Sequence, residues 1–102
     1  GAEFTRVTKT GHRASSNNLV MYATLEENQS PKIGFIVNRS VGGSVVRHLV
    51  TRKLRHDLAS HINQLPKNTK LVVRVLKEQK DYRVEVAHSV TKLIAKLAKV
   101  DA

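Results

Sequence analysis

Apolar residues recur along this chain at two spacings, and each change of spacing marks the border of an element. The segment Leu19-Val20-Met21-Tyr22-Ala23-Thr24-Leu25 alternates at period two. Leu19, Met21, Ala23 and Leu25 fall on one face and Val20, Tyr22 and Thr24 on the other, which predicts a strand. After the polar connector Glu26–Pro31, Lys32–Val37 repeats the pattern with Ile33, Phe35 and Val37 on one side. Two strands so close in sequence predict an antiparallel hairpin. Gly42-Gly43 then breaks the chain, and Ser44 is placed to cap a helix in which Val46, Val50, Leu54, Leu58 and Ile62 recur every fourth residue. Pro66 and Asn68 lead into a valine-rich strand over Thr69–Lys77, with Leu71, Val73 and Val75 on one face and Val72, Arg74 and Leu76 on the other. A final helix, from about Val84 to Lys99, carries an apolar stripe of Val86, Val90, Leu93, Ile94 and Leu97. Near the start, Phe4 and Val7 share a helical spacing and Gly11 follows as a stop, so residues 3–10 read as a short helix. The predicted order is α-β-β-α-β-α: an α+β sandwich with its helices packed on a small mixed sheet.

The chain has 102 residues, 40% of them hydrophobic, enough for one modest core and a single domain over residues 1–102. Charge changes the picture more. Lys and Arg number 18 against 8 Asp and Glu, a formal net charge of +10, which calls for a polyanionic partner. Nucleic acid is the leading candidate. The longest apolar runs, Leu19–Ala23 and Ile33–Val37, are far too short to span a bilayer and neither has a polybasic flank, so no membrane partner is expected. The absence of cysteine excludes disulfides, a thiolate nucleophile and a cysteine zinc site, and a cytoplasmic location fits best. Gly1-Ala2 is read as a scar left by tag cleavage, and the natural start as trimmed.

The richest chemistry lies between Asn38 and Arg55. On a helix, Arg47, Thr51 and Arg55 align at steps of four, with His48 and Arg52 in the neighbouring row, spanning an arc of about 140°. Guanidinium groups offer paired donors that match phosphate oxygens whatever the base sequence. The preceding glycine pair lets backbone amides come close to a phosphate at the helix start. Elsewhere, Asp57 and His61 stand one turn apart but lack a third ligand, which favours a solvated pair over a metal site. No paired acids, serine elbow or nucleotide-binding loop marks a self-contained catalytic centre.

These same residues resemble the bacterial ribonuclease P protein family. Its members carry a strand ending Ser-Lys-Lys-Val/Ile-Gly and a helix opening Ala-Val-x-Arg-Asn-Arg-x-Lys-Arg-x-x-Arg. Here the strand exit reads Asn38-Arg39-Ser40-Val41-Gly42, and the helix keeps Val45, Arg47, Arg52, Leu54 and Arg55. It departs from the pattern at His48, Leu49 and Thr51, where the family has Asn, Arg and Lys. The likeness extends from Glu3-Phe4 and Gly11, through Leu19–Tyr22 and Lys32–Phe35, to Leu71–Arg74 and the last helix. The basic segment that precedes the Glu-Phe pair in the family is not in this sequence.

The resemblance implies a protein that is inactive alone and assists a catalytic RNA subunit, which uses magnesium to remove the 5′ leader of precursor tRNA. It implies contacts to the RNA subunit through Arg47, His48, Arg52, Lys53 and Arg55. Contacts to the leader would come from Phe4, Tyr22, Asn38, Arg39 and Arg52. Magnesium would be held mainly by RNA, with His48 at most an indirect contributor, and the isolated protein would be monomeric. Two other readings stay open: a generic ribosomal-type RNA-binding module, which explains charge and mixed fold but not the ordered matches, and an independent basic nuclease, which lacks an acid/base constellation.

Overall fold

The chain is seen as a computed structural model that describes residues 6–9, 11–26 and 32–101. After a helical turn at residues 6–9, its elements are β1 (His12–Ser16), β2 (Leu19–Leu25), β3 (Lys32–Val37), α1 (Ser44–Ala59), β4 (Thr69–Val75) and α2 (Arg83–Asp101). A short 3-10 turn, Ile62–Gln64, follows α1. The mixed α+β architecture agrees with the expectation from patterning.

The strand pairing differs in two respects. The predicted hairpin between Leu19–Leu25 and Lys32–Val37 does not form, because the sheet order is β1-β2-β4-β3 and the last strand sits between them. β2 pairs antiparallel with β4, and β3 pairs parallel with β4. β2's other neighbour is β1, a strand the apolar pattern did not reveal. It is an edge strand whose only buried apolar residue is Ala14, so it carries no alternation to read. Its turn residues, Asn17 and Asn18, were the available signal: Asn17 has φ 50, a left-handed conformation that asparagine tolerates better than most residues.

Both helices cover one face of this sheet, α2 over β1 and β2 and α1 beside β3. Between the layers lie Leu19, Met21 and Ala23 of β2, Leu71, Val73 and Val75 of β4, Val50, Leu54 and Leu58 of α1, and Val86, Val90, Leu93 and Leu97 of α2. Tyr82, just before α2, is fully buried among them. Its hydroxyl accepts from the Gln79 amide at 2.9 Å and donates to the Lys77 carbonyl at 3.1 Å, which satisfies the one polar atom that burial would otherwise penalise. Burial also pushes its hydroxyl pKa up.

Two local expectations need correction. Ser44 is the first helical residue of α1 and not its cap; Gly43 takes that position in extended conformation, without a capping side chain. Ile62 leaves the four-residue stripe because the helix ends at Ala59, and it is exposed on the following turn. Gly42 is required by space: a Cβ there would lie 2.7 Å from Cγ1 of Val46.

Polar contacts pin the sheet edge to α2. Lys92 Nζ donates to the Ser15 carbonyl at 3.1 Å, and Lys96 Nζ donates to the Arg13 carbonyl. These bonds occupy outward carbonyls that an exposed edge would offer to another chain. At the hairpin tip, Asn17 Nδ2 donates to Glu85 Oε2 at 2.7 Å, and Asn18 donates from Nδ2 to Gln79 Oε1 at 3.0 Å. The hydrogen bond from Asn17 holds the Glu85 carboxyl below its ordinary value. A lowered carboxylate pKa stabilises the fold fully above about pH 4.3, and that stabilisation is lost as the pH falls through the lower folded value. Asn17→Gly keeps the turn's φ and removes the amide. It should lower stability by roughly 1 kcal/mol at pH 7, and urea unfolding should show the gap from the wild type closing at pH 3.

Candidate nucleic-acid interface

Burying Val50, Leu54 and Leu58 turns the other sides of α1 outward, and this packing decides where each cation points. Arg47, Thr51 and Arg55 face β3. With Ser44 and His48 on the helix and Ile33, Phe35 and Val37 on the strand, they line a groove of about 450 Å³. The Arg55 guanidinium lies 5.5 Å from the centre of the Phe35 ring, within reach of a cation–π attraction that restrains it. Thr51 Oγ1 donates back to the Arg47 carbonyl at 2.9 Å. Arg47 Nε is shielded from solvent and has no hydrogen-bond partner, a donor left over for an incoming acceptor.

Arg52 and Lys53 leave the helix on its other flank. Together with Leu49, His56 and Lys80 they border a second hollow of about 360 Å³, which also includes Asp57 and Asp81. Lys53 Nζ donates to the Lys80 carbonyl at 2.8 Å, so its charge is held against the connection between β4 and α2. The hydrogen bond from the Arg83 amide keeps the Asp81 carboxyl below its usual pKa, so an acid stands among these cations. Asn38 and Arg39 are exposed in the turn that joins β3 to α1, where the Val41 amide donates to the Asn38 carbonyl and the Gly42 amide to that of Arg39.

Tyr22 belongs to a different surface. It is half-buried, and alternation along β2 puts it on the sheet face away from Met21 and the helices. Its direct neighbours across the strands are Arg13 on β1 and Val72 on β4. Arg74 and Lys70 flank it diagonally, within reach of long side chains. Arg13 and Arg74 are exposed, whereas Lys70 is largely buried and pairs with Glu26 at 3.7 Å. Val20 and Val72 are buried on this face outside the main core, as is Val7 on the helical turn at residues 6–9. Gly11 closes that turn against β2, since a Cβ there would meet the Val7 and Ala23 carbonyl oxygens at 2.4 and 2.9 Å.

The predicted site residues therefore divide. Arg47, His48 and Arg55 gather at the groove by β3, Arg52 and Lys53 stand on the opposite flank of α1, and Tyr22 faces away from both across the sheet. Phe4 lies outside the described residues. Sequence reading missed Arg13 and Arg74 as companions of Tyr22, although Arg74 alternates in step with Val72. It missed Phe35 as the support of Arg55 as well, because only the fold brings strand and helix together. Among the described residues, no three His, Asp or Glu side chains gather to hold a metal ion. No helix among them is long and apolar enough to cross a membrane.

Comparison with known proteins gives these surfaces a context. The family model described as Ribonuclease P matches residues 1–98. The ribonuclease P protein component of Nocardioides sp. is 39% identical over 79 residues, covering 74% of this chain and 68% of that protein. The Acidothermus cellulolyticus component is 35% identical over 77 residues, covering 74% of this chain and 64% of its own length. Among solved structures, the Staphylococcus aureus RNase P protein superposes with a TM-score of 0.65 at 19% identity, covering 98% of this chain and 86% of that one. The Thermotoga maritima RNase P protein gives 0.64 at 19% identity, covering 96% and 87%.

The cationic faces of α1 make a prediction independent of any name. Replacing Arg47, Arg52 and Arg55 together by alanine should weaken binding to single-stranded RNA and flatten the slope of log affinity against log salt by about 0.7 per lost phosphate contact, a slope change of about two in all. Filter binding over a salt series measures this, and an unchanged slope would place the RNA surface elsewhere.

Proposed function

The chain belongs to the ribonuclease P protein family, and from that premise we propose that it binds the catalytic RNA subunit through α1 and holds the 5′ leader of precursor tRNA at the Tyr22 face of its sheet. The protein component of a ribonuclease implies an RNA partner. The observation that carries the finer reading is the row of Arg47, Thr51 and Arg55 beside the groove at β3, with Arg52 and Lys53 on the other flank. Such a helix presents cations over more than one side, which suits a folded RNA whose phosphates surround the contact.

The Tyr22 face suits a single strand. An aromatic ring stacks a base without reading its identity, and Arg13 and Arg74 stand where flanking phosphates would run. This assignment gives Arg52 to the RNA subunit, because it does not share a face with Tyr22. Asn38 and Arg39 sit at the exit of β3, open to either RNA.

In this reading the RNA subunit cleaves and the protein does not. The protein neutralises phosphates where leader and catalytic RNA converge, which lowers the cation concentration needed to bring them together. In the same reading magnesium is held mainly by phosphates of the RNA. The protein acts in the cytoplasm and is monomeric before it meets RNA, its charge of +10 opposing self-association.

Reconstitution tests this directly. With the ribonuclease P RNA of Nocardioides sp., the protein should restore precursor-tRNA cleavage at low magnesium and show none without the RNA. Cleavage by protein alone would reject the reading. Equal affinity for duplex, hairpin and precursor tRNA would favour a general RNA-binding module. Tyr22→Ala should cost roughly 1–3 kcal/mol of leader binding and leave affinity for the RNA subunit unchanged, as read by comparing precursor with mature tRNA.

A further inference from the structure

On α1, the outward side between the two cation-bearing flanks is not polar. Val45 is 81% exposed and Leu49 43% exposed, one turn apart on the same helix face. They floor a hollow of about 450 Å³ whose remaining walls are Ser44, His48 and Arg52. Leu49 also borders the neighbouring hollow that holds Lys53, so it forms the ridge between two cation-lined depressions. Position 49 is where the family pattern has arginine. A helix in contact only with water gains nothing by exposing two branched apolar side chains beside cations, and the molecule has nothing of its own that covers them among the described residues.

We infer that Val45 and Leu49 form an apolar pad that receives an unstacked nucleobase of the RNA subunit, with Arg52 gripping the adjoining phosphate. The inference rests on the RNA-binding reading of α1 and deepens it. Two side chains are too small an area for a stable protein interface, which needs about 800 Å² from each partner. A second copy of the chain is also opposed by a net charge of +10 on each. An RNA base fits both conditions: its face is apolar, its backbone is anionic, and bases splayed from loops and bulges stack on apolar and guanidinium surfaces. This member of the family then exchanges one ionic contact for a contact that salt does not screen.

Leu49→Ser, Val45→Ser and Leu49→Arg test it with the Nocardioides sp. ribonuclease P RNA in a salt titration. Both positions are exposed, and far-UV circular dichroism with a melting curve checks that each variant folds. The two serine variants should each bind about fivefold or more weakly, with the slope of log affinity against log salt unchanged. Leu49→Arg should steepen that slope by roughly 0.7. Wild-type affinity in both serine variants would overturn the pad, and so would weakening accompanied by a changed slope, which would mean that charge and not base contact was disturbed. If the wild type itself does not prefer this RNA to an equal length of polyuridylate, the RNA-subunit reading fails, and the pad with it.

Discussion

The rotation of one helix about its own axis governs the chemistry of this protein. Val50, Leu54 and Leu58 are buried at four-residue intervals against the sheet and α2, and this burial sets which way the rest of α1 looks. Turned by one residue, about 100°, the same sequence would sink a cation into the core, where an unpaired charge is strongly disfavoured. The apolar stripe and the cationic rows are thus a single device. Burial of the stripe supplies the free energy, and the arginines occupy whatever directions are left.

That coupling explains what could be read in advance. The period of α1 and the order of its basic residues are local properties, so the helix, its cationic faces and the α+β class were legible from Arg47, Arg52, Arg55 and the leucines between them. Pairing between strands is not local. β2 and β3 are near neighbours in sequence, yet β4 separates them in the sheet, and no periodicity within Lys32–Val37 says which strand it will join. β1 stayed hidden because an edge strand needs few apolar residues when lysines of α2 satisfy its carbonyls. Tyr22 was visible as an aromatic on a half-polar face, but its companions Arg13 and Arg74 are set by cross-strand register, which only the assembled sheet reveals.

The two surfaces use charge differently. On α1, cations project from a rigid helix with one guanidinium steadied by Phe35, so their spacing is fixed before any partner arrives. On the sheet, Arg13 and Arg74 surround an aromatic ring on strands whose spacing follows the pleat, a platform tolerant of sequence. A folded RNA of constant shape and a single strand of variable sequence make these opposite demands. On the function proposed above, the helix face would meet the first and the Tyr22 face of the sheet the second.

The insertion of β4 between β2 and β3 has a consequence for how the chain is made. Synthesis runs from the N-terminus, so the hairpin of β1 and β2 emerges first, followed by β3 and then α1, while the strand that joins the two halves is still inside the ribosome. Until Val75 has emerged, β3 has no neighbour and α1 has no complete platform, yet Arg47, Arg52 and Arg55 are already outside. The basic helix is therefore born before its scaffold, beside a ribosome that is itself mostly polyanion, and it acquires a settled orientation only when β4 and α2 have followed it out.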